Sequence, residues 1–200
     1  MRIVILLVYV NRTMKLICLL WVILFFTLPA FSQSQSTDAL FLRGYNYLTA
    51  DRQKAIDILS EVIDKDAEYT NAYYHRGIAY FKDGKYELAL DDFNSAYELN
   101  DGLDIIWMYK GFTYKNMGDL DQALSCFSNY IIAYPTDTTA YSYILRGKMK
   151  YELGDFQGAV EDYDMALRLK PFEEKYQYYR FVALYEDGNY DKALQAVTRL

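Results

Sequence analysis

The chain holds few side chains of the kinds that do chemistry. Its single histidine is His75, and its two cysteines are Cys18 and Cys126. A tetrahedral metal site would need a further imidazole or thiolate beside His75, and no second histidine exists to supply it. His75 is therefore expected as a surface or groove residue, and Cys126 as a half-buried filler. Two acidic stretches stand out, Asp91-Asp92 and Glu161-Asp162-Tyr163-Asp164. A calcium loop alternates its acids around a glycine turn, and neither stretch does so. They are expected to form solvated helix faces and internal pairs. No phosphate-binding loop, nucleophile elbow or CxxC pair occurs. The sequence thus predicts no catalytic residue, no metal ligand and no cofactor.

The elements that would position a binding surface follow from composition and period. The chain has 200 residues, 52% hydrophobic, with 22 tyrosines and only three prolines. Scarce proline and the lack of Val/Ile/Thr alternation argue against an all-β chain. The N-terminus reads separately. Lys15 precedes an apolar run from Leu16 to Leu28, followed by Ala30-Phe31-Ser32 and a polar stretch. That is the layout of a secretory signal peptide, with cleavage expected after Ser32 and with Met14 as an alternative start. The run is short for a membrane span, so an uncleaved anchor is the less favoured reading. Cys18 sits too early for a lipoprotein cut. Removing residues 1–32 takes away Arg2, Arg12 and Lys15 and no acid. It leaves 18 basic against 27 acidic residues, a net of −9. Such a surface repels nucleic acid and anionic lipid. The expectation is an exported protein, periplasmic, outer-surface or secreted, in a bacterial envelope. It would have no nucleic-acid partner, no stable span after cleavage and no internal disulfide.

The remainder repeats. Gly77 to Gly111, Gly84 to Gly118, Ala89 to Ala123 and Phe93 to Phe127 are each 34 residues apart. The next step is 36 in every case, to Gly147, Gly154, Ala159 and Tyr163, and the last returns to 34 at Gly188 and Ala193. The two extra residues fall between Pro135 and Gly147. The register gives five units, about 37–69, 70–103, 104–139, 140–173 and 174–200. Each reads as two helices. The first carries aromatics at helical spacing and ends at a turn glycine, Gly84, Gly118, Gly154 or Gly188. Asp119, Asp155 and Asn189 can cap the second. Pro135 and Pro171 follow its end. The recurring small residues, such as Gly77 and Ala89, are expected where two helices touch backbone to backbone, with Tyr73, Tyr80 and Phe93 filling the space around.

These residues resemble the tetratricopeptide repeat (TPR), a 34-residue helix–turn–helix. The second unit supplies Tyr73, Gly77, Tyr80, Ala89, Phe93 and Ala96. The third supplies Trp107, Gly111, Tyr114, Ala123, Phe127 and Pro135. The fourth supplies Tyr143, Gly147, Ala159, Tyr163, Ala166 and Pro171. The resemblance implies an all-α α-α solenoid, a right-handed superhelix of about five repeats. It departs from the family at one site in each unit, which is basic throughout: Arg43, Arg76, Lys110, Arg146 and Arg180. Phe181 replaces a small residue in the fifth unit, and Lys150 replaces a tyrosine in the fourth. The fifth unit is incomplete at Leu200, where such arrays usually need a solvating helix, so the expectation is either truncation there or something that covers that end. Asp92 and Asp162 stand sixteen residues after Arg76 and Arg146, so these pairs are expected to bridge the two helices of one repeat. The alternative is a basic ladder that grips an acidic partner.

The resemblance further implies a concave groove lined by the first helices. The residues it places there are Phe41 and Tyr45, then Tyr74, Ile78 and Phe81, then Met108 and Phe112. Ile144 and Tyr151 follow, then Tyr178 and Tyr185. Lys82, Lys115 and Lys148 add scattered positive charge. The family's chaperone-tail clamps use lysine and asparagine where this chain has Phe41 and Tyr45, so that activity is not implied. The function expected is a non-catalytic adaptor that captures a protein or peptide segment on apolar anchors. The alternatives are self-association through the C-terminal face, as a homo-oligomer or a larger envelope assembly, and glycan binding on tyrosine faces.

Overall fold

The computed structural model describes residues 37–134 and 139–197, with no side-chain description beyond Gln195. The expected leader, Pro135 and Leu200 lie outside the described residues. The chain divides into two compact units, Met1–Tyr69 and Thr70–Leu200. Among the described residues every regular element is a helix, and none is long and apolar enough to cross a membrane.

The first unit is a helical hairpin, α1 (residues 37–47) and α2 (Arg52–Lys65). Asp51 starts α2 by accepting a hydrogen bond from the Lys54 backbone N–H, which satisfies one of the amides a helix start leaves unpaired. Leu40, Ala55, Leu59 and Val62 are buried. Gly44 lies against Ile58 and Leu59.

Among the described residues the second unit holds eight helices. They are α3 (Thr70–Lys82), α4 (Tyr86–Leu99), α5 (Ile105–Met117), α6 (Leu120–Ala133), α7 (Ala140–Glu152), α8 (Phe156–Leu169), α9 (Glu174–Glu186) and α10 (Tyr190–Val197). Each packs on the next in series. The hairpin turns close at Gly84, Gly118, Gly154 and Gly188, whose φ angles run from 73° to 84°. A side chain at such a φ would be strained, so glycine alone makes this turn cheaply. Asp119 and Asp155 then accept from the backbone N–H groups of Gln122 and Gly158 and start α6 and α8.

The small residues of the first helices act differently from the expectation of backbone contact. A methyl group on Gly77 would come within 2.7 Å of the Phe93 ring, one on Gly111 within 2.6 Å of Phe127, and one on Gly147 within 2.7 Å of Tyr163. Each glycine is a seat for an aromatic ring sent across from the second helix. The ring buries most of its area by lying directly on the backbone. Cys126 is also deeper than expected, only 3% exposed, and burial pushes its thiol up to about 11.

The basic residues settle into alternating partners. Arg76 donates from Nε and Nη2 to both oxygens of Asp92, at 2.8 and 2.7 Å. Arg146 does the same to Asp162, at 2.9 and 2.6 Å, and Lys150 approaches that carboxylate to 3.1 Å. These bridge α3 to α4 and α7 to α8, as the internal-pair reading expected. Lys110 and Arg180 reach the other way. Lys110 donates to Asn94 at 2.7 Å, and Arg180 pairs with Asp164 at 2.5 Å, so each ties its helix to the preceding hairpin. The sequence explains the switch. Sixteen residues after Lys110 and Arg180 stand Cys126 and Ala196, which offer no acceptor comparable to a carboxylate. In the first unit Arg43 lies 3.9 Å from Glu61 with both side chains about half exposed, a pair worth little.

Candidate partner-binding cleft

Helical spacing gathers the site. On α7, Lys148, Tyr151 and Glu152 are three and four residues apart and share a face; on α9, Tyr178, Tyr179 and Val182 do the same. Lys115 comes from the last turn of α5. These side chains and Tyr163 line an open cleft of about 250 Å³. Tyr163 belongs to α8, behind the first helices. It reaches the cleft because Gly147 leaves its ring a place beneath α7.

The cleft is aromatic and carries two lysines, Lys115 and Lys148. The Tyr163 and Tyr179 ring centres are 5.8 Å apart, and Tyr178 lies 6.2 Å from Tyr179. The Lys148 ammonium sits 4.3 Å from the centre of the Tyr179 ring, within cation–π range. Burial drives the Tyr163 phenol above its ordinary value, and the neighbouring Tyr179 adds to this. Burial would also raise Tyr179, but the Lys148 and Lys175 ammonium groups outweigh it and hold that phenol below the usual tyrosine value. Among the described residues neither Lys115 nor Lys148 forms an ion pair, although Glu152 shares their cleft. No group of three or more potential metal ligands occurs among the described residues.

The structure distributes the expected groove residues unevenly. Tyr151 and Tyr178 line the cleft. Tyr178 is 61% exposed; Tyr185, seven residues on along α9, is 54% exposed and meets Tyr190 edge-on at 5.2 Å. Tyr74, Phe81, Met108 and Phe112 are half-buried. Tyr74 packs edge-on against Tyr109 at 5.6 Å, Phe81 lies 6.0 Å from Tyr86, and Phe112 lies 5.5 Å from Phe127. Ile78 and Ile144 are withdrawn into the core, Ile144 to 2%. In the first unit Phe41 sits between Tyr45, at 6.2 Å, and Tyr69, at 5.1 Å. Sequence reasoning missed Tyr163, Tyr179 and Glu152. Tyr163 carried a signal: it is a tyrosine where the two preceding units place Phe93 and Phe127, and a phenol oxygen needs a polar outlet.

Comparison with known proteins completes the picture. Family models described as tetratricopeptide repeat match residues 38–68, 70–102, 113–174 and 144–200. A TPR repeat-containing protein of Methanocaldococcus jannaschii is 26% identical over 172 residues, covering 77% of this chain and 30% of that protein. Tetratricopeptide repeat protein 13 of Homo sapiens is 36% identical over 76 residues, covering 34% of this chain and 9% of that protein. The chain therefore spans less than a third of the length of these curated relatives. Among solved structures, a MamA protein superposes with a TM-score of 0.75 at 17% identity, covering 82% of this chain and 90% of the other. A tetratricopeptide repeat protein from Parabacteroides merdae does so at 0.73 and 20%, covering 82% and 65%. At these identities the structural likeness speaks for the fold alone. The register of glycines and rings, the serial hairpins and matches along most of the described chain agree: this chain belongs to the tetratricopeptide repeat family.

Proposed function

We propose that the chain is a non-catalytic scaffold that holds a segment of a partner protein against the tyrosine-lined cleft between α5, α7 and α9. Repeats of this family typically mediate protein–protein interaction, which supports a scaffold in general terms. The observation that carries the finer reading is the exposure of Tyr178 beside a concavity walled by three further tyrosines. Rigid aromatic rings with one open face are effective anchors, because they offer large contact area at small conformational cost. A photo-crosslinking residue in place of Tyr178 tests this. It should capture a discrete partner from the native cell, while the same residue in place of the exposed Glu98 on α4 should not. Equal labelling at both positions refutes the assignment.

Export is part of the proposal. It rests on the leader-like residues 1–32, and N-terminal sequencing of the chain from its native cell checks it. A mature N-terminus at Gln33 is expected, and an intact leader would overturn it. A second reading, self-association, is favoured by the exposed Tyr190 and Leu194 of α10. Light scattering separates the two, since that reading requires a concentration-dependent mass.

A further inference from the structure

We infer that one edge of the second unit, where α6 and α8 end and α7 and α9 begin, rests on an anionic lipid surface. Phe172 and Leu169 enter the acyl boundary, and Arg168 and Lys170 meet the headgroups. This surface is separate from the cleft, and the inference does not depend on what the cleft holds.

Hairpins packed in series put their glycine turns at one edge and the ends of their second helices at the other. At that other edge the chain exposes apolar side chains. Phe172, in the turn between α8 and α9, is 93% exposed, and Ile132, in the last turn of α6, is 73% exposed. Leu169 and Tyr141 are about half exposed. The two loop regions adjoin, because the Tyr141 phenol adds, after burial and Glu173, to the rise in the Tyr176 phenol of α9. A single exposed apolar residue is ordinary, but several along one edge mark a contact surface. Charge is distributed to match. Between Asp121 and Arg146 the sequence carries one charged residue, Asp137, although 24% of the chain is charged. Beside this uncharged stretch stand Arg168, Lys170 and Lys175, all exposed, and none forms an ion pair among the described residues. Two acids share the loop, Glu173 and Glu174, at the start of α9, where the helix dipole favours them. The loop thus keeps one surplus positive charge within an acidic protein. The chain's other acids repel anionic lipid at long range, but salt screens charges beyond about 8 Å, so the edge meets a membrane with its own charges. Phe172 projects from a turn and lines no hollow. A projecting ring bordered by cations suits a bilayer interface, whose acyl boundary yields to the ring while its phosphates meet the cations. Tyrosine at the margin, as at Tyr141, suits the headgroup level.

The test reads the edge itself, in the chain as its native cell makes it. An environment-sensitive fluorescent amino acid replaces Phe172 and, separately, Leu88, which is exposed near the start of α4 at the opposite edge. Vesicles of phosphatidylglycerol and phosphatidylcholine should shift the emission of the residue 172 probe to the blue, and brominated lipid should quench it. The residue 88 probe should do neither. Leu169→Ser, Phe172→Ser should lower the vesicle partition coefficient about 10-fold or more. Both side chains are exposed, so the urea midpoint of that variant should match the natural chain. Arg168→Gln, Lys170→Gln should weaken partitioning about fivefold or more on the anionic vesicles and leave it unchanged on phosphatidylcholine alone. Equal responses at residues 172 and 88, or none at either, overturn the inference. A response at residue 172 that is as large on phosphatidylcholine alone overturns the anionic assignment and with it the inference. Silence on every vesicle, with one discrete protein captured by photo-crosslinking from residue 172, makes the edge a protein contact and also overturns it.

Discussion

Replacing Gly111 by alanine separates two accounts of the small residues in the first helices. Alanine is about 1 kcal/mol better than glycine in a helix interior, so a glycine that is merely tolerated should be improved by the change. The structure gives the opposite sign. The new methyl would lie 2.6 Å from Cε1 of Phe127 and 2.9 Å from its Cδ1 and Cζ. Carbon atoms rest at about 3.5–4.0 Å, so the ring must withdraw by roughly 1 Å. It has little room, being 1% exposed and stacked edge-on against Phe112 at 5.5 Å. Overpacking of this kind costs about 1–3 kcal/mol. Set against the propensity gain of about 1 kcal/mol, the net loss runs up to about 2 kcal/mol. Urea unfolding followed by far-UV circular dichroism should show a lower midpoint for Gly111→Ala than for the natural chain. In a Phe127→Leu background the same change should cost less or stabilise, because the smaller side chain leaves the seat open. A midpoint that rises in the natural background, or an equal penalty in both backgrounds, would refute the seat.

Arg76→Leu strands the carboxylate of Asp92, whose side chain is 6% exposed, and should destabilise by about 3–5 kcal/mol; Arg76→Leu, Asp92→Leu should recover most of that in the same urea assay. Partner capture through Tyr178 should survive the double change, because the pair is internal. Burial holds His75 down to about 4. In the unfolded chain it would titrate at its ordinary value near 6.5, so the unfolded state binds the extra proton between those pH values. Its contribution to stability is therefore present above about pH 6.5 and is lost as pH falls toward 4, a swing of about 1–3 kcal/mol. Urea midpoints across this range should fall less steeply for His75→Gln than for the natural chain, and parallel curves would contradict the burial. Ala123→Leu should destabilise by about 1–3 kcal/mol and so lower the urea midpoint, since Ala123 is fully buried beside Phe127 in the same core cluster.

The period of the chain was legible because it is written in residues that do one job each. Gly84, Gly118, Gly154 and Gly188 each take the left-handed turn, and Asp119 and Asp155 each cap the helix that follows. The bridge from Arg76 to Asp92 was legible too, since a fixed offset of sixteen across a tight hairpin puts the two side chains opposite each other. The seats at Gly77, Gly111 and Gly147 were not. Sequence shows a small residue and an aromatic sixteen positions apart, but helix contact and ring-on-backbone contact share that pattern. Only the ring's orientation separates them. The cleft was half legible for a related reason. Helical spacing places Tyr151 and Tyr178 on exposed faces, but it gives no distance between neighbouring hairpins. Whether Tyr163 of α8, itself 2% exposed, backs the cleft from beneath α7 depends on that distance.

The alternating ion pairs and the cleft are two outcomes of one constraint. A cation at a repeated site of a helical hairpin must find an acceptor, because it is partly buried by the packing that defines the repeat. Where the second helix of the same hairpin carries an acid, as at Asp92 and Asp162, the pair closes inside the hairpin. Where that place holds Cys126 or Ala196, the cation turns back, to Asn94 or Asp164, and fastens one hairpin to another. Either way the structural cations are consumed, and the aromatic rings around them are committed to packing. Side chains outside this repeated set are under no such demand, and Lys115, Lys148 and Tyr178 belong to that group. Their positive charge and open ring face add little to the fold, so they are the features of the second unit most available for a partner to use.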